Sequence, residues 1–107
     1  MKSMNESLPL EVNRLVIALC GDYDRRQHIL ERKCASPDTL AHFYQLNSAI
    51  DNAVAEVCEE AICRQMREDI GAGRGARRSP LYFLSEGAYK QRKRAAKYRI
   101  ARSLNLL

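Results

Sequence analysis

The sequence predicts an all-α protein folded as a single domain. Apolar residues recur at spacings of three and four along most of the chain, which is the period of an amphipathic helix. Glycine and proline together number eight, and half of them lie between residues 71 and 80, so long stretches are free of helix breakers. A length of 107 residues with 46% apolar content suits one modest hydrophobic core.

The first predicted helix runs from about Leu8 to Lys33. Ser7 is a suitable N-cap, and Pro9 is tolerated in a first turn. Gly21 lies inside the helical pattern and indicates either a kink or a close contact between helices. The predicted apolar stripe consists of Val12, Leu15, Val16, Leu19, Tyr23 and Leu30.

The second predicted helix runs from Pro37 to about Asp69, with Ser36 as its N-cap. At 1.5 Å per residue it would span about 50 Å. Asn47 either lies on the apolar seam as a device that fixes register, or lies beside it with Leu46 in the core position; we favour the second interpretation. The seam itself consists of Leu40, Phe43, Asn47, Ile50, Val54, Val57 and Ala61.

The two helices are expected to pair as a long antiparallel hairpin over residues 1–70. A lone hairpin buries too little apolar surface, so each stripe needs the C-terminal segment or a second copy of the chain. A homodimer with a four-helix arrangement is therefore our hypothesis for the assembly.

The rest of the chain is a loop followed by a third helix. Residues 71–84 contain three glycines within five positions and a Ser-Pro pair, which predicts a glycine- and arginine-rich loop. Ser85 is a suitable N-cap for a helix from about Glu86 to Leu104. Residues 85–107 are expected to pack on the hairpin through Tyr89, Ala96, Ile100 and Leu104.

Charge is distributed unevenly along the chain. Residues 1–70 carry 8 Lys and Arg against 12 Asp and Glu, a net −4, whereas residues 71–107 carry 10 Lys and Arg against one acid, a net +9. Seven of these cations lie between Lys90 and Arg102 with no acid among them. They repel each other on one helix, and nucleic-acid phosphates would relieve that repulsion.

The candidate nucleic-acid-binding residues come from both the loop and the helix. They are Arg74, Arg77 and Arg78 in the loop, and Lys90, Arg92, Lys93, Arg94 and Lys97 in the helix. The alternative for the helix is a solvated basic surface, and the alternative for the loop is a linker whose arginines keep it soluble. Duplex DNA is the favoured partner, while an arginine-rich helix that orders on RNA is a further interpretation.

Other chemistry has little support in the sequence. The two pairs of adjacent carboxylates, residues 59–60 and 68–69, point in different directions on a helix, and no nucleophile motif is present, so we expect no enzyme activity. On a helical hairpin, the spacing of the four cysteines keeps their thiols apart, so we expect neither a metal site nor a cofactor. Without a signal peptide or a long apolar run, the protein is expected in the cytoplasm, with free thiols and no membrane contact.

The C-terminal segment from Ser85 through Tyr89, Lys90 and Arg92–Arg94 to Ile100 and Leu104 resembles ArpU-like phage transcriptional regulators. That part of those proteins is similar to the DNA-reading helix of sigma factors, and the resemblance covers about 23 residues of this chain. It implies that Ser85, Lys90, Arg92, Lys93 and Arg94 face DNA, while Tyr89, Ile100 and Leu104 pack.

A helix-turn-helix also needs a first helix three or four residues upstream. In this chain a stretch of about fifteen residues with glycine and proline occupies that place. Either the supporting helix is short, around Leu81 to Leu84, or the motif is degenerate.

The sequence thus predicts a small non-enzymatic DNA-binding protein for phage-type or mobile-element transcription control. The alternative is a helical protein-interaction module whose basic tail binds an acidic partner.

Overall fold

The described part of the chain folds into five helices. The structure is a computed structural model in which residues 8–73 and 85–107 are described. The helices are α1 (Leu10–Gly21), α2 (Tyr23–Arg32), α3 (Pro37–Val57), α4 (Glu60–Ala72) and α5 (Glu86–Ser103). These ranges contain no strand, which confirms the all-α prediction. Among the described residues, no helix combines the length and the apolar character that crossing a membrane requires.

Helix α3 is the centre of the bundle, since α2, α4 and α5 all pack against it. Helix α1 lies against α4 and α5, so α1, α3, α4 and α5 enclose the core. The most deeply buried apolar side chains come from these four helices and are Val16, Ile50, Val54, Ile62, Met66, Ile70, Tyr89 and Ile100. Leu15, predicted on the first apolar stripe, is instead 50% exposed.

The first predicted helix is divided into α1 and α2 at Asp22. Gly21 lies beside Gly71 of α4, and a β-carbon on Gly71 would come within 2.8 Å of the Gly21 backbone nitrogen. The two helices therefore touch through their backbones: a β-carbon does not fit at Gly71, and one at Gly21 would lie only 3.1 Å from the Gly71 carbonyl oxygen. The structure shows both predicted roles of Gly21, because its close contact with α4 and the break between α1 and α2 occur at the same place. The break lets α1 follow α4 and α5 while α2 follows α3.

The second predicted helix is divided as well, and here the sequence prediction is wrong. Cys58 and Glu59 both have extended backbone, with ψ angles of 147° and 150°. No glycine or proline lies at this break, so the local sequence carries no signal for it. The break lets α4 pack against α1 as well as α3, and Ala61, predicted on the apolar seam, is consequently exposed.

Asn47 lies in the core, and the prediction that Leu46 takes its place is wrong. Asn47 is 3% exposed and accepts a hydrogen bond of 2.7 Å from Nε of Arg26, which is itself 2% exposed. Its amide nitrogen donates to the Tyr23 carbonyl at 3.3 Å, and Nη2 of Arg26 donates to the carbonyl of Leu19 at 2.5 Å. Leu19 belongs to the last turn of α1, whose carbonyls have no intrahelical partner. The buried pair thus satisfies backbone groups at the α1–α2 break.

The outer ends of α2 and α3 form an arm that leaves the core. From Gln27 to Leu46 no residue is fully buried. The arm carries the half-buried residues Ile29, Leu30, Leu40 and Phe43, while Tyr44 is 67% exposed. Ser36 caps α3 by accepting a hydrogen bond from the Thr39 backbone nitrogen at 3.2 Å, as the sequence predicts.

Candidate nucleic-acid interface

Helix α5 is fixed to the bundle along one side. Ser85 begins the helix and accepts a hydrogen bond from the Ala88 backbone nitrogen at 3.1 Å. Tyr89, Ala96 and Ile100 are completely buried, and they repeat at the helical spacing that faces α3 and α1. The Tyr89 hydroxyl donates to the buried carboxylate of Asp69 in α4 at 2.5 Å. These contacts set which side of α5 faces solvent.

Two of the seven α5 cations lie on or near the buried side. Lys93 is 6% exposed and has an interaction partner within the protein. Lys97 is half-buried, and its ammonium donates to Oδ1 of Asn13 in α1 at 2.9 Å. Burial lowers the pKa of Lys97, and the neighbouring charge of Arg94 lowers it further. Both lysines support the attachment of α5, so we leave them out of the proposed contact surface.

Two further cations are paired with carboxylates at the end of α3. Arg92 forms an ion pair with Glu59, and its hydrogen bond to that carboxylate lowers the pKa of Glu59. Arg99 forms an ion pair with Glu56, with 2.9 Å between Nη1 and Oε1. All four side chains remain between 32% and 57% exposed. This second side of α5 is therefore neutralised within the chain.

The third side of α5 is cationic and has no such partner. Lys90, Arg94 and Arg102 are exposed, and among the described residues no carboxylate forms an ion pair with any of them. At 3.6 residues per turn, their directions span about 120° of the circumference of α5, on its solvent side. Gln91 is also exposed beside them. We call Lys90, Arg94 and Arg102 the outer row.

Gly87 opens the same side of the first turn. A β-carbon there would meet nothing nearer than Oγ of Ser85 at 3.9 Å, so no close packing within the described chain requires glycine.

Two shallow grooves border α5 and are open to solvent. One is lined by Val57, Gln91, Arg92, Arg94 and Ala95, and the other by Glu56, Tyr98, Arg99, Arg102 and Ser103.

The predicted site residues thus separate into distinct groups. Ser85 is the N-cap, Lys90 and Arg94 are in the outer row, and Arg92 is paired with Glu59. Lys93 and Lys97 support packing. The loop residues Arg74, Arg77 and Arg78 lie outside the described residues, as does the segment Leu81–Leu84.

Sequence reasoning did not include Arg102 in the site, although it lies eight residues after Arg94 and shares its side of the helix. The spacing of eight residues was the sequence feature that could have placed Arg102 in the site. Its use depends on knowing that Tyr89, Ala96 and Ile100 mark the buried side of α5.

The thiols do not form a shared site. Cys34 is exposed in the α2–α3 turn, whereas Cys20 and Cys58 are buried. Burial raises the pKa of Cys20 to about 12 and that of Cys58 to about 11, so neither thiol is an activated nucleophile. Among the described residues, no group of three or more His, Cys, Asp or Glu side chains could hold a metal ion.

Comparison of the chain with protein-family models, curated proteins and solved structures finds no match.

Proposed function

We propose that this protein is a non-enzymatic nucleic-acid-binding protein that binds duplex DNA through the outer row of α5. The observation that carries the proposal is the row itself: Lys90, Arg94 and Arg102 are exposed on one side of a fixed helix, without an ion-pair partner among the described residues. In keeping with the resemblance of its C-terminal segment, we assign the protein to phage-type or mobile-element transcription control.

The charge pattern favours an external polyanion over simple solvation. Exposed helices that need no charged partner usually carry both signs, whereas α5 carries seven cations and one acid, Glu86. Burial is the main cause of the lowered pKa of Lys97, and the neighbouring charge of Arg94 adds to it, as expected where cations of α5 repel each other. Phosphates along the outer row would relieve this repulsion and would release the counterions condensed on DNA.

The side chains of the outer side also suit a DNA groove. An α-helix fits the major groove, where arginine can bind guanine and glutamine can bind adenine through paired hydrogen bonds. Arg94 and Gln91 are the exposed residues of these types in the first half of α5. Gly87 leaves the adjoining surface of the helix without a side chain, so a groove wall can approach the backbone closely.

The test is duplex binding by single charge-neutralising variants, measured by fluorescence anisotropy with a labelled random-sequence duplex. Lys90→Gln, Arg94→Gln and Arg102→Gln are each expected to reduce the slope of log affinity against log salt by about 0.9. The matched control is Arg32→Gln, which removes the same charge from the exposed end of α2 and should leave the slope nearly unchanged. Equal effects of all four variants would refute the assignment of the site to α5.

A second candidate function is a protein-interaction module, and the α2–α3 arm favours it. The arm holds several half-buried apolar residues and no fully buried one between residues 27 and 46, as expected of a surface that packs against another protein. A basic tail would then bind an acidic protein surface. Binding to an acidic polypeptide but not to duplex DNA at low salt would favour this function.

Homodimerisation through the arm is part of the main proposal, since DNA-binding helices of this type commonly act in pairs on two half-sites. Sedimentation equilibrium at micromolar concentration tests it. We expect a dimer that Phe43→Asp, on the half-buried side of the arm, converts to a folded monomer. A wild-type chain that sediments as a monomer at these concentrations would contradict this part of the proposal.

A further inference from the structure

Two carboxylates of the bundle are placed against the cationic helix. Glu56 lies in the last turn of α3, and Glu59 lies just beyond it at the start of α4. Each forms an ion pair with one arginine of α5, Glu59 with Arg92 and Glu56 with Arg99. The two arginines are seven residues apart, which is two turns of helix or about 10.5 Å along its axis. They form a second row of cations beside the outer row.

Only one of the two carboxylates suits the helix that carries it. A negative charge in the last turn of a helix is unfavourable to the helix dipole, and Glu56 occupies that position in α3. Glu59 is the N-cap residue of α4, where a negative charge is favourable to the helix dipole, although its side chain makes no capping hydrogen bond. Its carboxylate binds Arg92 instead. The position of Glu56 is therefore accounted for by Arg99 rather than by local helix stability, while the carboxylate of Glu59 binds Arg92 rather than capping α4.

The two ion pairs are also easy to exchange. Arg92 and Glu59 are 32% and 45% exposed, and Arg99 and Glu56 are 50% and 57% exposed. Pairs of this exposure contribute little to stability, because water and salt screen them. A phosphate, which accepts charge-assisted hydrogen bonds from arginine as a carboxylate does, can replace the carboxylate without opening the core.

We propose that Glu56 and Glu59 are intramolecular competitors for nucleic-acid phosphates: they hold Arg92 and Arg99 in the free protein and give them up when α5 binds a polyanion. The inference rests on the proposed function. This competition makes the affinity of α5 for nucleic acid lower than the number of its cations implies. Binding that uses only the outer row leaves the two pairs intact, whereas a phosphate array that also reaches the second row exchanges them.

The experiment compares Glu59→Gln and Glu56→Gln with Glu31→Gln on the random-sequence duplex. All three variants remove one negative charge, but Glu31 lies on α2, which packs against α3 and α1 rather than α5. We expect Glu59→Gln and Glu56→Gln each to tighten binding by about 1.4- to five-fold, the range that corresponds to an exposed ion pair. Glu31→Gln should produce a clearly smaller change.

A double-mutant cycle then separates competition from a general change in charge. In an Arg92→Gln background the competitor has nothing to release, so Glu59→Gln should tighten binding no more than Glu31→Gln does in that background. The same relation is expected for Glu56→Gln in an Arg99→Gln background. Since the four paired side chains are 32–57% exposed and Glu31 is exposed, the variants should keep the helical circular dichroism of the wild type.

The outcomes distinguish this inference from the function on which it rests. If the wild-type chain does not bind duplex DNA in a salt-dependent manner, the proposed function fails. If the wild type binds as proposed but Glu56→Gln and Glu59→Gln match Glu31→Gln, the competitor role alone is overturned. It is also overturned if Glu59→Gln tightens binding equally with and without Arg92.

Discussion

The contact between α1 and α4 at Gly21 and Gly71 yields a sharp prediction about stability. A β-carbon on Gly71 would lie 2.8 Å from the Gly21 nitrogen, 2.9 Å from the Cys20 carbonyl carbon and 2.9 Å from the Gly21 α-carbon. All three are backbone atoms, so no side-chain rotation can make room. In Gly71→Ala, α1 and α4 must therefore move apart or bend.

The size of the effect follows from the same distances. Ordinary contacts of a β-carbon begin near 3.4 Å, so the 2.8 Å contact requires a shift of about 0.6 Å. A gap of that size between well-packed helices loses a quarter to a half of the dispersion energy at the separated atoms. Overpacking of this kind costs about 1–3 kcal/mol, and the better helix propensity of alanine returns at most about 1 kcal/mol. We expect a net loss of about 1–2 kcal/mol, or roughly 4–16 °C in Tm.

Gly87→Ala is the matched control, because the substitution is identical and the surroundings differ. The nearest atom to the added β-carbon is Oγ of Ser85 at 3.9 Å, so alanine fits without strain. We expect Gly87→Ala to stabilise the protein by a few tenths to about 1 kcal/mol.

Urea denaturation followed by far-ultraviolet circular dichroism measures both variants. The two variants should change the free energy of unfolding in opposite directions, with Gly71→Ala unfolding at lower urea. A Gly71→Ala protein as stable as the wild type would refute the backbone contact and the α1–α4 packing built on it.

Further predictions concern the buried polar pair and the thiols. Asn47→Ala removes the acceptor of Nε of the buried Arg26, which keeps its bonds to Asp22 and to the Leu19 carbonyl, and should cost about 1–3 kcal/mol in urea denaturation; an unchanged midpoint would contradict the network. Because the pKa values of Cys20 and Cys58 are raised from 9.0 to about 12 and about 11, the unfolded state loses these protons first as pH rises. The free energy of unfolding should therefore keep its maximum value below about pH 8 and be lower by about 2–3 kcal/mol near pH 10. In Cys20→Ala the free energy of unfolding should fall by about half as much over the same pH range. A pH-independent midpoint over this range would contradict the burial of both thiols. Iodoacetamide should alkylate the exposed Cys34 well before the buried thiols, which peptide mass spectrometry detects; equal rates at Cys34 and Cys20 would be inconsistent with the fold.

The first residues of two helices could be predicted from the sequence, because a capping residue marks each of them. Ser36 followed by Pro37 marks the start of α3, and Ser85 marks the start of α5, and both serines accept the capping hydrogen bond. The buried side of α5 was predictable too, because Tyr89, Ala96 and Ile100 repeat at helical spacing.

The break at Cys58 and Glu59 could not be predicted, since it depends on where α4 packs rather than on a local breaker. The burial of Asn47 depends in the same way on a distant partner, Arg26, which lies 21 residues away.

The neutralised side of α5 also lay beyond sequence reasoning. Arg92 is 33 residues from Glu59, and Arg99 is 43 residues from Glu56. Net charge per segment detects the cations but not the acids that the fold brings against them. The sequence therefore identified the basic helix, while only the fold separates its paired side from its outer row.

The central claim, that α5 presents cations to a polyanion, is tested most directly by the salt dependence of wild-type binding to random duplex DNA. With about 0.9 for each phosphate contact, the three outer-row cations together with Arg92 and Arg99 predict a slope of log affinity against log salt between about −2.7 and −4.5. A slope near zero between about 50 and 200 mM salt, or no binding at the lower concentration, would contradict the account.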